Sequence, residues 1–402
     1  MEELPSSNAI EFVEEQDEVL ETELSAQLVS QAVIYSTDWT TETVISQLQG
    51  GNIDFRPRFQ RRDAWSVPRK SRFIESLILG LPIPQIVLAE KKEEKGRFIV
   101  LDGKQRLLTL LQFTGVAGGK NNAFPLSALD IRKDLIGRRY QDLTDDPLLE
   151  PDRRQFSNQP IRSMVIRNWP NRDFLHLVFV RLNTGSVSLS PQELRQAAFP
   201  GPFVDYVDEA SSSSKALKAL LHTDEPDFRM RDIELLVRHI AFQFSIEDYA
   251  GNMKAFLDDA CDQLNKSWPE NQAQVQKRVE QFEKAVEAAI EIFGKDQVAR
   301  KWTADGFEPR LNRAVLDVIT FYFSDRAIRT AAARKAKAVV SAFKALCLED
   351  DAFRTSIETT TKSLTATATR FNVWGTRLRR VLRASFNVPE LEGKRIAFEG
   401  FR

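Results

Sequence analysis

Residues 98–113 read Phe-Ile-Val-Leu-Asp-Gly-Lys-Gln-Arg-Leu-Leu-Thr-Leu-Leu-Gln-Phe, and the apolar pattern changes period across a single glycine. Phe98 to Leu101 has the length and content of a short buried strand, whereas Leu107, Leu108, Leu110 and Leu111 recur at helical spacing. Gly103 stands at the switch. A glycine there lets a ligand come close to backbone, and the helix N-terminus that follows offers unpaired N–H groups to an anion. Asp102, Gln105 and Arg106 add a metal-ligating carboxylate, an amide and a planar cation matched to phosphate. Taken alone, the turn has two accounts: ordinary turn chemistry with a solvated arginine, or a phosphate cradle working through a divalent metal.

The upstream residues give the turn a context. Residues 53–69 read Ile-Asp-Phe-Arg-Pro-Arg-Phe-Gln-Arg-Arg-Asp-Ala-Trp-Ser-Val-Pro-Arg. Ser66 and Pro68 have the chemistry to open a helix, whose apolar face is Phe73, Ile74, Leu77 and Ile78 and which ends at Gly80. Leu81-Pro-Ile-Pro84 then leads into a strand at Gln85–Leu88, a charged hairpin at Lys91–Gly96, and the strand carrying Asp102. Farther on, residues 181–195 read Arg-Leu-Asn-Thr-Gly-Ser-Val-Ser-Leu-Ser-Pro-Gln-Glu-Leu-Arg. This is a helix end at Asn183–Gly185 followed by a new helix, with Ser190 as N-cap, Pro191 as first helical residue and Glu193 closing a capping box. Capping accounts for Ser190 and Glu193; Arg181 and Asn183 have no such local role.

The order Gln60-Arg61-x3-Trp65, then a helix, then Leu81-Pro-Ile-Pro84, then Asp102-Gly-x-Gln-Arg-Leu107, with the Arg181-x-Asn183-x-Gly185 block, resembles one family. It is similar to the N-terminal domain of GmrSD-type modification-dependent restriction enzymes, a branch of the ParB/sulfiredoxin-like superfamily, over roughly residues 40–200. The resemblance implies binding of a nucleoside triphosphate with Mg2+, and often its hydrolysis to the diphosphate and phosphate, in the service of an attack on modified foreign DNA. By motif position, Asp102, Gly103, Gln105 and Arg106 hold the phosphates, with Asp102 on the metal and Asp102 and Arg106 the catalytic candidates. Gln60 and Arg61 approach from the facing loop. Arg58, Trp65, Arg69, Arg181 and Asn183 are supporting residues, Trp65 as a prop from the core rather than a platform for a base. Lys104 occupies the variable position of the motif and is assigned nothing.

Hydrolysis also needs a positioned water and neutralised phosphoryl charge, and no residue stands out as the water-positioning base, so binding is better supported than turnover. None of His176, His222 and His239 sits in a triad, a metal-ligand spacing or the His-x-x-Pro-like pattern of the family's nuclease half, so an HNH site is expected on a separate nuclease or other defence-system protein. Two other readings stay open: a ParB-like DNA-binding module switched by nucleotide without turnover, and a stand-alone metal-dependent DNA nickase using the Asp102/Arg106 cluster. Oligomeric state, nucleotide identity and the DNA modification sensed are left open.

Charge supports a phosphate-rich partner. Residues 1–55 hold 12 acidic residues and no lysine or arginine, which leaves 56 basic against 45 acidic residues in the rest of the chain. Arg56–Arg72 contains six arginines and Lys70 against Asp63, beside Phe55, Phe59 and Trp65. A second group, Arg370, Arg377, Arg379, Arg380 and Arg383, lies near Phe371 and Trp374, as a solvated face or a basic-aromatic surface. No apolar stretch approaches membrane-spanning length, and Cys261 and Cys347 have the isolation of reduced core thiols, so a cytoplasmic protein is expected.

The expected fold class is α+β: a small ParB/sulfiredoxin-like mixed sheet with helices, followed by a large α-helical bundle. Residues 1–36 form an acidic segment of weak helical periodicity expected to be partly disordered, residues 37–200 the nucleotide-binding domain, and residues 201–402 the helical domain. Within these, Thr37–Thr41 caps a helix ending at Gly50-Gly51, Phe124–Ser157 reads as a charged, irregular insertion, Ile161–Ile166 as one more strand, and Pro200–Asp224 as the boundary between domains.

Overall fold

The computed structural model describes residues 10–13, 31–53, 65–116, 123–171, 174–175, 177–178, 190–359 and 361–401. The chain divides into two compact units, residues 20–198 and residues 1–19 with 199–402.

The first unit is built on a mixed four-stranded sheet. Its elements are β1 (Val33–Thr40), α1 (Thr41–Gln49), α2 (Val67–Ile78), β2 (Ile86–Glu90), β3 (Phe98–Asp102), α3 (Lys104–Phe113), α4 (Tyr140–Asp145), α5 (Glu150–Asn158), β4 (Pro160–Arg167) and α6 (Pro191–Ala198). The strand order is β1-β4-β2-β3, with β2 parallel to β4 and both outer pairings antiparallel. Both faces of the central strands are covered. Ile86, Leu88, Phe98, Val100 and Val165 face one apolar cluster, and Val87, Ala89, Ile99, Leu101 and Ile166 face another with Phe174 and Leu175. Burial on both sides is why β2 and β3 read as continuous apolar runs rather than as alternating ones.

Local chemistry sets the helix starts. Thr40 accepts the N–H of Thr43 at 3.1 Å and caps α1, as the Thr37–Thr41 stretch led one to expect. Helix α2 has Pro68 in its first turn and buries Phe73, Ile74, Leu77 and Ile78, the face read from the sequence. Burial of such side chains stabilises by about 1.5–3 kcal/mol each. Glu75, on the same helix, is also buried, and its carboxylate accepts the backbone N–H groups of Asp130 (3.1 Å), Ile131 (2.8 Å) and Arg132 (2.6 Å). Burial pushes the Glu75 pKa up, but those three N–H groups together with Arg72 outweigh it and the net direction is down.

Two local readings are corrected. Residues 33–36, expected within an acidic segment of helical periodicity, belong to β1, an edge strand on which Val33 and Ile34 stay exposed. The stretch 124–157 is part of the core rather than an irregular insertion: Phe124, Leu126, Leu129, Leu135, Leu143 and Phe156 pack into the main cluster, Phe156 against Phe113 and Tyr140. The stretch 200–224, read as the boundary between domains, follows directly on the division between the two units and folds as α7 (Pro202–Ser213) and α8 (Lys215–Leu221), with Phe203, Val204, Val207, Leu217 and Leu220 buried.

The second unit continues with α9 (Arg231–Ser245), α10 (Met253–Lys266), α11 (Trp268–Phe293), α12 (Arg313–Phe323), α13 (Arg326–Arg334), α14 (Ala336–Glu349), α15 (Asp351–Glu358) and α16 (Leu364–Leu382), plus two short hairpins. Its central helix α12 is buried from Ala314 through Phe323. A bidentate ion pair crosses this core, with Arg238 donating from Nε (3.1 Å) and Nη2 (2.6 Å) to Asp317. Cys261 and Cys347 are free and buried. Among the described residues, no helix is long and apolar enough to cross a membrane.

Candidate functional site

Asp102 is the last residue of β3, the outer strand of the sheet, and Gly103 turns the chain directly into α3. The turn needs glycine twice over. Gly103 has φ of +96°, in the left-handed region, and a Cβ there would sit 2.6 Å from Cγ2 of Ile86. Sequence reasoning assigned Gly103 to close approach of a ligand; the chain's own sheet already excludes a side chain at this position.

Asp102 organises the turn through both carboxylate oxygens. Oδ1 accepts the N–H of Gly103 at 2.7 Å and Oδ2 accepts Nη2 of Arg106 at 2.9 Å. The arginine lies one helical turn beyond the aspartate, so the pair spans the N-terminus of α3, where a carboxylate is favoured by the helix dipole. Arg106 is 11% exposed and Asp102 31%. Nη1 of Arg106 is buried and has no hydrogen-bond partner among the described residues. An unmet donor of this kind costs about 1–3 kcal/mol, more on a charged group. The turn thus holds a matched charge pair, a solvent-facing carboxylate edge and one guanidinium donor to spare. Gln105 is half-buried in the first turn of α3.

Lys104, assigned no role from the sequence, is an anchor of this turn. It is 8% exposed, and its Nζ donates at 2.9 Å to Oε1 of Glu193, itself 7% exposed. Glu193 and Ser190 form the expected capping box at the start of α6: the Glu193 N–H donates to Ser190 Oγ at 3.1 Å, and the Ser190 N–H to Glu193 Oε2 at 2.7 Å. One carboxylate therefore caps α6 and fixes the first residue of α3. No sequence signal names a lysine's partner 89 positions away, although a lysine on the buried side of a helix start asks for one.

Trp65 packs edge-on against Phe73 at 5.8 Å between ring centroids and touches the core, and the Arg69 guanidinium lies 4.8 Å over its ring. Trp65 is thereby a prop, as the sequence favoured, with exposed Arg69 stacked on it. Arg58, Gln60, Arg61, Arg181 and Asn183 lie outside the described residues. Among the described residues, no group of three or more His, Cys, Asp or Glu side chains gathers at a metal-binding distance.

The C-terminal basic group does not form a basic-aromatic surface. Phe371, Trp374 and Arg370 are fully buried; Arg370 donates to the carbonyl of Thr361 at 2.5 Å and sits 3.9 Å from Asp317. Arg383 supplies the left-handed C-cap of α16.

A mixed four-stranded sheet, a strand–glycine–helix turn at its outer strand and a following helical unit define an α+β class of domain. Residues 42–200 match the family described as GmrSD restriction endonuclease, N-terminal domain, and this stretch of the chain is a domain of that family. No curated protein and no solved structure matches the chain.

Proposed function

We propose that the chain is the nucleotide-binding regulatory component of a DNA restriction system, acting in the cytoplasm with a separate nuclease or other effector. The observation that carries this reading is the Asp102–Gly103–Arg106 turn. A carboxylate, first-turn helix N–H groups and a guanidinium with an unmet donor lie within one helical turn of each other. The family assignment supports the restriction context.

In this reading Asp102 would hold the Mg2+ that accompanies a nucleoside triphosphate, and that cation would supply charge neutralisation at the phosphates. Arg106 would turn from Asp102 toward a phosphate oxygen, a bidentate partner matched to its planar fork. Lys104 does not meet the ligand; its ion pair with Glu193 keeps the start of α3 in place. Modified DNA is the polyanion sensed, through the basic stretch Arg56–Arg72.

The reading is tested by phosphate release from ATP, GTP, CTP and UTP with Mg2+, with and without modified DNA. Release stimulated by DNA and lost in Arg106→Ala supports a nucleotide-gated sensor. Nucleotide binding without release favours the ParB-like switch. Metal-dependent nicking by the single chain favours the nickase.

A further inference from the structure

Residues Ile10–Val13, from the acidic head of the chain, are held on the helical unit as an extended segment. Phe12 forms a parallel bridge with Leu311. The Leu311 N–H donates to the carbonyl of Glu11 at 2.8 Å, and the Val13 N–H donates to the carbonyl of Leu311 at 2.9 Å. The side-chain contacts are more specific. The Phe12 ring lies between two guanidinium groups, Arg231 at 4.8 Å and Arg313 at 4.5 Å from its centroid. The same arginines donate to the segment's backbone, Arg231 to the carbonyl of Ile10 and Arg313 to that of Val13, each at 3.2 Å. Ile10 is buried.

Carboxylates of the helical unit orient the clamp. Asp227 holds Arg231 through Nε at 2.9 Å and Nη2 at 2.5 Å, and Glu234 lies 3.1 Å from Nε of Arg313. These carboxylates decide what the site can take. Asp227 occupies the Nε/Nη2 edge of Arg231 that a phosphate would need, Glu234 sets a second negative charge beside Arg313, and the cationic faces are left for an aromatic ring. Within Ile10–Val13, charge contributes little: the ion pair of Glu11 with Arg310 at 3.1 Å is more than half exposed on both sides. Residues Ile10–Val13 are held chiefly by the Phe12 ring and by their backbone.

We infer that Leu311 with Arg231 and Arg313 is a peptide-docking site, filled in cis by Ile10–Val13, that accepts an extended aliphatic–x–Phe–aliphatic segment from another polypeptide when its own segment leaves. Recognition combines strand addition with an aromatic anchor, two features that recur in peptide-binding domains. Tethering places the cis segment at an effective concentration of about millimolar, so the site is silent toward weak competitors.

The test uses the full-length chain and a fluorescent peptide of residues 6–17, read by anisotropy. The Phe12→Ala protein, with its own anchor removed, binds the peptide saturably, and the wild-type protein binds it at least tenfold more weakly. A peptide with alanine in place of the phenylalanine binds the Phe12→Ala protein at least tenfold more weakly than the native peptide. In hydrogen exchange, the Leu311 amide of the Phe12→Ala protein exchanges faster than in wild type and slows again when the native peptide saturates the site. Absence of saturable binding up to about 1 mM, equal binding of the two peptides, unchanged Leu311 exchange in Phe12→Ala, or displacement of the native peptide by duplex DNA at lower concentration than by unlabelled peptide overturns the inference.

Discussion

The ion pair between Lys104 and Glu193 makes a quantitative claim about how the turn is held. Both groups are under 9% exposed and 2.9 Å apart, so removing one leaves the other charged in a site poor in water. Breaking a buried pair this way costs about 3–5 kcal/mol. Glu193 keeps the Ser190 N–H after Lys104→Met, which places that variant near the lower figure, about 3 kcal/mol. Glu193→Gln retains an acceptor for the cap but removes the carboxylate from the lysine's ion pair, at a similar cost of about 3 kcal/mol. In the double variant neither charge remains, and its loss is expected to be about 2–3 kcal/mol rather than the sum. The coupling is thus about 3–4 kcal/mol. The assay is urea denaturation of the full chain, with hydrogen exchange over residues 98–113 and 190–198 to assign the loss to the α+β unit. Single-variant losses that add to within about 0.5 kcal/mol in the double variant refute the reasoning, because they mean that the two side chains do not depend on each other.

Gly103→Ala is expected to lose about 2–4 kcal/mol without any ligand, the left-handed φ and the 2.6 Å approach to Ile86 both contributing; calorimetric melting of the unliganded protein checks this, and an unchanged melting temperature contradicts it. Glu75 has a pKa below its usual value in the folded chain, so its stabilisation is complete above the unfolded value of about 4.3 and is lost as pH falls through the lower folded value. Glu75→Gln should therefore reduce stability at pH 7 and make the acid limb shallower in urea titrations run from pH 7 to 3. His239 is buried and its pKa is pushed down to about 3, first by burial and then by the Arg278 charge. The unfolded imidazole takes up a proton near pH 6.5, so stability is complete above that and falls by about 1.4 kcal/mol per unit as pH drops toward 3. The slope should flatten in His239→Leu, and an identical pH profile would sink the assignment.

Which parts of this molecule were legible in its residues follows from the range of the interactions involved. The strand–Gly103–helix switch, the α1 and α6 caps and the apolar face of α2 are set within a few residues of themselves, and local spacing revealed them. Strand β1 escaped because it is an edge strand whose Val33 and Ile34 remain exposed and whose inward-facing positions Tyr35, Thr37 and Trp39 are only half-buried and include a polar residue. The stretch 124–157 looked irregular because its apolar residues serve several short elements, each too brief to establish a period. At the candidate site, Asp102 and Arg106 were found because they are helical neighbours. Lys104 was passed over because its partner comes from α6, and Arg370 was counted as surface because a charge gives no local sign of the Asp317 that it meets in the core. The Phe12 clamp joins residues 299 or more positions apart through Leu311 and Arg313, and nothing in the acidic head points to it.

The measurement that bears most directly on the central claim is calorimetric titration of the full chain with ATP, GTP, CTP and UTP in Mg2+, for wild type, Arg106→Ala and Arg106→Lys. Micromolar binding of at least one nucleotide is expected, weakened about ten- to a hundredfold in Arg106→Ala, the loss of a charge-assisted contact of about 1.5–3 kcal/mol. Arg106→Lys should fall between, keeping the charge and losing the fork. Binding of none of the four by the wild-type protein, or equal binding by all three proteins, would mean that the Asp102–Gly103–Arg106 turn is a structural junction and not a nucleotide site.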